Sequence, residues 1–320
     1  MSIDASENGQ QPAHLARRLG IWGLTATGIC SMLGASIYVV PFMIQRNVPG
    51  IADNVLPAFM FAALPALLAA FAYAILASAM PRAGGSYIYA SRGLSPYLGF
   101  IASFSQWFGL SIVIGVISYI IVAFLRDVAL GLQWQGLADL LEQGVVRVSL
   151  ALGMIWLFVY VNILGARFYE RTLIPLMLLM FALGAVVIVT GLSYDHLDFA
   201  RALGQSEGRQ VPAMTAEPLD WTVFLSAAAL LFASFIGFDS IAQAGGEAKN
   251  PTRALPLAIG LAISTVGGFY FLFTYAVYHA VPWSFVAQEA VAKDISAAGM
   301  LAYLLPGALS VAVISGAAIA

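Results

Sequence analysis

The feature that most constrains this chain is a succession of long apolar segments joined by polar connections. A bilayer core needs roughly 20 apolar residues of helix to cross it, and eight segments of roughly 17 to 30 residues reach that length. Lipid-exposed backbone must satisfy its hydrogen bonds internally, so each segment is expected to be a helix. The sequence therefore predicts an all-α, polytopic membrane protein. The eight spans are approximately 20–44, 55–79, 94–125, 148–164, 172–192, 221–246, 256–281 and 299–320.

Composition excludes several other classes of protein. Only 9% of residues are charged and 61% are hydrophobic, whereas a soluble domain has about 25% charged residues. A net charge of -2 without a basic cluster argues against a nucleic-acid partner. The single cysteine, Cys30, excludes disulfides within the chain, and three scattered histidines (14, 196 and 279) argue against a metal site. No cofactor is expected.

The basic residues predict the orientation of the chain. Arg17 and Arg18 precede a first span of 25 residues without a cleavage site, which is longer than the apolar core of an export signal, about 7 to 15 residues. Placing the tail 1–19 in the cytoplasm puts eight of the fourteen basic residues there, in the shorter connections, as the positive-inside rule expects. The prediction is a multi-pass protein of the cytoplasmic membrane. The connection 193–220 is then an exposed extracytoplasmic loop.

Two spans carry residues that a continuous lipid-facing helix does not favour. The first contains GICSMLGAS between Gly28 and Ser36, and the sixth contains FIGFD between Phe235 and Asp239. Glycine destabilises a helix interior, and an ionised aspartate near the bilayer centre costs about 2.5 to 3.5 kcal/mol. Interrupted spans five helices apart are typical of inverted-repeat transporters. We therefore expect a first repeat over 20–192 and an incomplete second repeat over 221–320.

The first interruption is a candidate anion site. If the helix restarts at Gly34, Ala35 and Ser36, their free amides and the helix dipole favour a carboxylate, and the small side chains let it approach. Close helix packing through small residues such as Gly28, Ser31 or Ala35 is the other interpretation. The residue pattern leaves both open.

The second interruption supplies acceptors and rings around Gly237. Unwound carbonyls can accept hydrogen bonds from an ammonium group, while Phe232, Phe235 or Phe238 cover the pocket. Asp239 then either sets the local charge or caps the restarting helix. Alternatively, the phenylalanines only pack and Asp239 is a buried structural acid.

Four segments together resemble a known family. They are GASIYVVP, MPRAGGSYIYASRGLSPYLGF, NILGAR and FIGFDSIAQAGGEAKNPTRALP, and they follow the order and spacing of the amino acid–polyamine–organocation permeases. The resemblance extends from about residue 18 to residue 320. It implies the LeuT-type fold, with ten core helices in two inverted repeats and usually two further helices. Because the last span ends in SGAAIA without a polar anchor, we expect more helices after Ala320.

The resemblance also implies roles for individual residues. The family's Gly-Ser-Gly corresponds to Gly34, Ala35 and Ser36, whose amides would bind the substrate carboxylate. The ammonium would bind carbonyls near Cys30 and Ser31 and those of Phe235 and Ile236, beside Gly237. Asp239 stands where relatives have Asp or Glu.

Three departures from the family pattern affect the site. Ser36 replaces a glycine and adds a hydroxyl. Ala233 occupies the position of a gate tryptophan in some exchangers, which leaves Phe232 or Phe235 as the lid. Met180 occupies the position of a lysine in certain proton-coupled relatives.

The predicted function is secondary transport of an amino acid or a related amine, without enzymatic chemistry. Coupling to H⁺, to Na⁺ or to a counter-substrate stays open. Two alternatives from other classes are a non-transporting sensor or channel on the same fold and an intramembrane serine hydrolase. The hydrolase would use Ser36 as nucleophile and His279 as base, which requires the two side chains within hydrogen-bond reach.

Overall fold

A computed structural model of the protein describes residues 19–132, 134–163, 166–214, 218–292 and 295–305, together with residues 309 and 311. The regular structure of these residues is helical, apart from one isolated β-bridge. The helices are α1 (Ile21–Met32), α2 (Val40–Asn47), α3 (Val55–Ala79), α4 (Gly85–Gly93), α5 (Pro96–Gly131), α6 (Gln135–Glu142), α7 (Gly144–Ile163), α8 (Ala166–Ser193), α9 (His196–Glu207), α10 (Trp221–Phe232), α11 (Asp239–Gln243), α12 (Pro251–Ala280), α13 (Trp283–Ala292) and α14 (Ala297–Leu301).

Seven segments of the described residues are long and apolar enough to cross a bilayer. They are Ile21–Tyr38, Ala52–Ala79, Pro96–Leu130, Gly144–Ile163, Ile174–Ser193, Trp221–Gly246 and Pro251–Ala280. These segments coincide with the first seven predicted spans, so the prediction of an all-α, multi-pass membrane protein is confirmed. The predicted eighth span lies mostly outside the described residues.

Helix α12 is the central helix of the bundle and packs against α1, α3 and α8. The contact face of α3 carries buried alanines at intervals of four residues, at Ala58, Ala62, Ala66 and Ala70. Residues four apart lie on one helix face, and small side chains there let two helix backbones approach closely. The same effect applies on α1, where Gly28 lies against Ile241 and Ala262 with no room for a Cβ. Gly28 therefore fits the packing interpretation.

The connection 193–220 is more ordered than an exposed loop. Asp195 caps α9 through the amides of residues 197 and 198, and the Asp198 side chain accepts a hydrogen bond from the Asp195 amide. Phe199 and Leu203 are fully buried, and the Phe199 ring packs on Phe285 of α13. The expectation of a loop is wrong for His196–Glu207, which form a helix with one buried apolar face, while most of the described connection is exposed.

The segment before α1 is joined to the connection between α11 and α12. The Leu19 amide donates to the Glu247 carbonyl at 3.0 Å, and the Lys249 amide donates to the Leu19 carbonyl at 2.8 Å. We call this parallel backbone pairing the amino-terminal clasp. It holds the start of α1 beside the end of the sixth span.

Candidate functional site

The first span is interrupted as predicted, between α1 and α2. The last α-helical bond of α1 joins the Leu33 amide to the Ile29 carbonyl at 2.8 Å, and the chain continues from Gly34 as a short 3₁₀ helix, Gly34–Tyr38. Gly34 has φ +43°, a left-handed conformation that glycine adopts without a Cβ penalty. The carbonyls of Cys30 and Ser31 follow the Ile29 carbonyl, which is the last to accept an α-helical hydrogen bond in α1. We call residues 30–39, which include the last carbonyls of α1, the first break.

The sixth span is interrupted at the predicted glycine. Helix α10 ends at Phe232, a 3₁₀ turn follows over Ala233–Phe235, and Ile236 is extended with ψ 132°. Gly237 has φ +137°, after which the chain resumes as α11. We call residues 233–238 the second break. Both breaks expose backbone polar groups that a continuous helix would satisfy.

The two breaks touch each other. A Cβ placed on Gly237 would lie 2.7 Å from the carbonyl carbon and oxygen of Ser31 and 2.9 Å from the amide nitrogen of Met32. Real side-chain carbons do not come this close to backbone, so only glycine permits this approach. The sequence predicted both interruptions, and the fold brings them into direct contact.

Ser36 is fixed within the first break by two hydrogen bonds. Its hydroxyl donates to the Leu33 carbonyl at 2.5 Å, which leaves the Tyr270 hydroxyl to donate to Ser36 at 2.7 Å. Tyr270 belongs to α12 and is fully buried, and its hydroxyl also lies 3.4 Å from the Met32 carbonyl. Tyr270 is not among the site residues predicted from the sequence. Its position inside an apolar span was the sequence signal for a polar contact, because a buried tyrosine hydroxyl needs a hydrogen-bond partner.

The position of Tyr270 also argues against the hydrolase alternative. His279 lies nine residues further along the same helix, which is about 13 Å at the helical rise of about 1.5 Å per residue. Its Nδ1 atom lies 3.0 Å from the Gly191 carbonyl and 3.2 Å from the Tyr194 carbonyl. A general base must come within about 2.6 to 3.2 Å of the nucleophile. Ser36, held against Tyr270, is therefore out of reach of His279.

Asp239 is the half-buried first residue of α11. Its carboxylate accepts a hydrogen bond from Gln243 Nε2 at 3.3 Å, and no side chain caps the start of this helix. The Ser240 hydroxyl donates to the Gly237 carbonyl at 2.6 Å and satisfies that group of the break. The capping role considered for Asp239 is therefore not observed, and a role in local charge stays a prediction.

The three candidate ring residues face different surroundings. Phe235 is buried between Phe59 and Tyr270, with ring centroids 5.4 and 6.1 Å away. Phe238 is buried with its ring edge-on to Tyr73, at a centroid distance of 5.4 Å. Phe232 lines a separate cavity between α3 and α10. In this conformation the rings of Phe235 and Phe238 belong to the core.

A cavity of about 360 Å³ lies beside the two breaks, on the side away from the amino-terminal clasp. Ala233 of the second break and Val39 of the first break both line it. The exposed side chains of Ser31 and Ile236 and the half-buried Cys30 and Gly34 also flank the breaks. The side chain of Ala35 lies outside the described residues. The described lining residues are Val39, Val40, Met43, Ile44, Arg46, Asn47, Val116, Ile120, Ala123, Phe124, Leu230, Ala233, Ile295 and Ser296.

Comparison with known proteins identifies related sequences over most of the chain. The family model described as amino acid permease matches residues 19–320. The cadaverine/lysine antiporter of Escherichia coli strain K12 is 26% identical over 292 residues, which cover 89% of this chain and 59% of that protein. Cationic amino acid transporter 4 of Mus musculus is 25% identical over 90% of this chain and 45% of its own length.

A plant relative extends the same pattern. The vacuolar cationic amino acid transporter 2 of Arabidopsis thaliana is 28% identical over 87% of this chain and 43% of its own length. The chain thus spans about half the length of the curated relatives it matches.

Proposed function

This chain belongs to the amino acid permease family, and from that premise we propose that it moves an amino acid or a related amine across a membrane by alternating access. In this scheme the substrate binds where the two interrupted spans meet. Rearrangement of the helices that carry the breaks then exposes the site to one side of the membrane at a time. Nothing covalent is required, so the proposed activity is transport and not catalysis.

The contact between Gly237 and the Ser31 carbonyl carries this proposal. It places the backbone groups of the two breaks next to each other and beside a cavity. The amides of Gly34, Ala35 and Ser36 are proposed to bind the carboxylate, because amides at the start of a helical segment attract anions. Carbonyls of Cys30, Ser31, Phe235 and Ile236 are proposed to accept hydrogen bonds from the ammonium. One small zwitterion then satisfies both breaks.

The proposed architecture is a first repeat over residues 20–192 and a partial second repeat over 221–320. The position of the breaks, five spans apart, supports this division. We further propose that the amino terminus is cytoplasmic and that the protein resides in the cell membrane. The clasp then closes the cytoplasmic side, while the cavity beside α2 lies toward the outside, which favours an outward-facing state.

The coupling of transport is proposed to involve H⁺, Na⁺ or a counter-substrate. The name of the E. coli relative, an antiporter, supports exchange with a counter-substrate. Asp239 is the proposed coupling or gating acid, because it is a half-buried carboxylate within a spanning segment. Phe232 and Phe238 stay proposed gate residues that would have to leave their present contacts to cover the substrate.

The experiment is counterflow of labelled amino acids into liposomes that contain the purified protein and an excess of unlabelled substrate. Ser36→Leu is expected to abolish uptake, since its larger side chain must displace Tyr270 and thereby shifts the amides proposed to bind the carboxylate. Ser111→Leu is the matched control, because Ser111 is exposed and its hydroxyl bonds only within α5, to the Trp107 carbonyl. The control is expected to transport like the unmodified protein.

The outcomes separate the competing functions. Substrate binding without any counterflow would indicate a sensor, and flux that does not saturate would indicate a channel. Normal substrate affinity in Ser36→Leu would refute the site assignment while leaving the transport activity in place.

A further inference from the structure

The cavity beside the breaks has a chemical character that bears on which substrate fits. Its end nearest the breaks is formed by Val39 and Val40 at the end of the first break and by Leu230 and Ala233 at the start of the second. Helix α5 closes this end with Val116 and Ile120, which lie one helical turn apart on the same face. Every one of these side chains is a hydrocarbon.

Polar groups among the described lining lie at the far end of the cavity. Arg46 and Asn47 stand at the end of α2, and Ser296 precedes α14. No carboxylate occurs among the described lining residues. Asp239, the acid of the sixth span, lies beyond the second break on α11 and accepts a hydrogen bond from Gln243. The described lining therefore offers no negative charge to pair with a cationic substrate side chain.

Because Val39 and Ala233 belong to the breaks and also line the cavity, we place the side chain of an amino acid bound at the breaks against this wall. Its charged carboxylate and ammonium would be satisfied by backbone groups, so the side chain would determine preference between substrates. Burying a cationic side chain without a partner is strongly unfavourable, whereas an apolar side chain gains from leaving water. The cavity volume of about 360 Å³ lies at the small end of the range of about 300 to 1,000 Å³ typical of ligand pockets.

We propose that the substrate is a neutral amino acid with an apolar side chain, and that Val116 and Ile120 of α5 contribute to this specificity. The proposal rests on the transport function proposed above and specifies its substrate class. It separates this chain from the relatives whose names refer to lysine, cadaverine or cationic amino acids. The physical basis is the hydrocarbon wall next to two breaks that already satisfy the zwitterion.

The first test is competition against counterflow of labelled leucine in liposomes containing the protein. The competitors are unlabelled leucine, isoleucine, lysine, arginine and cadaverine. Isoleucine is expected to compete about as well as leucine, while lysine, arginine and cadaverine compete about a hundredfold or more weakly, because each buries an uncompensated charge. Equal competition by lysine would overturn the inference while leaving transport established. Counterflow of labelled lysine without counterflow of labelled leucine would also overturn the inference, whereas absence of counterflow with both would refute the transport function itself.

The second test changes the wall. Ile120→Asp introduces a carboxylate beside the substrate side chain and is expected to strengthen competition by lysine at least about tenfold relative to leucine. Ile120→Asn is the matched control, with similar size and polarity but no charge, and it is expected to weaken leucine without favouring lysine. An unchanged lysine-to-leucine ratio in a folded Ile120→Asp variant would remove Ile120 from the specificity site. If neither variant folds, the competition panel with the unmodified protein still decides the substrate class.

Discussion

Replacement of Gly237 by alanine is the most direct perturbation of the contact between the two breaks. The added Cβ would lie 2.7 Å from the Ser31 carbonyl, whereas ordinary contacts begin at 3.4 Å. The breaks must therefore separate by about 0.7 Å, or the backbone around Gly237 must rotate. Because the obstructing atoms are backbone, no side-chain rotation can relieve the clash. We expect Gly237→Ala to lower both stability and substrate affinity.

The magnitude follows from two contributions. A positive φ costs an L-amino acid roughly 1 to 2 kcal/mol, and an overpacked site costs about 1 to 3 kcal/mol. Together they predict a loss of about 2 to 5 kcal/mol in the free energy of unfolding. A displacement of nearly 1 Å at a positioned site also costs up to about a hundredfold in function. The measurements are unfolding of the purified protein in detergent and the affinity for the transported amino acid.

Two other glycines provide matched controls for Gly237→Ala. Gly34 has φ +43° but no atom within 4 Å of an added Cβ, so Gly34→Ala should show only the backbone strain of about 1 to 2 kcal/mol. Gly268 lies in α12 with open space and no positive φ, and its replacement should be neutral or stabilising by about 0.5 to 1 kcal/mol. If Gly237→Ala were as stable as Gly268→Ala, the close contact between the breaks would be refuted.

Further predictions concern the hydrogen bonds that hold the first break and the clasp. Tyr270→Phe and Ser36→Ala are measured singly and together. Their effects on the free energy of unfolding should be coupled by about 0.5 to 1.5 kcal/mol, because each removes the same buried hydrogen bond. Strictly additive losses would contradict the 2.7 Å contact between the two hydroxyls. Leu19→Pro removes the amide that donates to the Glu247 carbonyl and should increase the rate at which a maleimide labels Cys30, the single cysteine. Leu19→Ala keeps the amide and is the control, and equal labelling of the two variants would show that the clasp does not restrict access.

Several elements of the fold were outside the reach of sequence analysis. The connection 193–220 looked like a polar loop because its acids and arginines dominate, yet Phe199 and Leu203 make one buried face of α9. The clasp uses only backbone atoms of Leu19, Glu247 and Lys249, so no pattern of side chains in the sequence predicts it. In both cases the determining partner is distant in the sequence.

The sequence alone determined that this chain is a bundle of membrane-spanning helices and where two of those helices are interrupted. Both properties are local, because span length, a glycine and a charge within an apolar run can be recognised from neighbouring residues. Only the tertiary structure decided that Gly237 contacts Ser31, and that Ser36 bonds to Tyr270, 234 residues away. Contacts across such separations depend on how α1, α10 and α12 pack, and hydrophobic periodicity carries no information about which faces meet. The hydrocarbon wall beside the breaks is a product of the same packing.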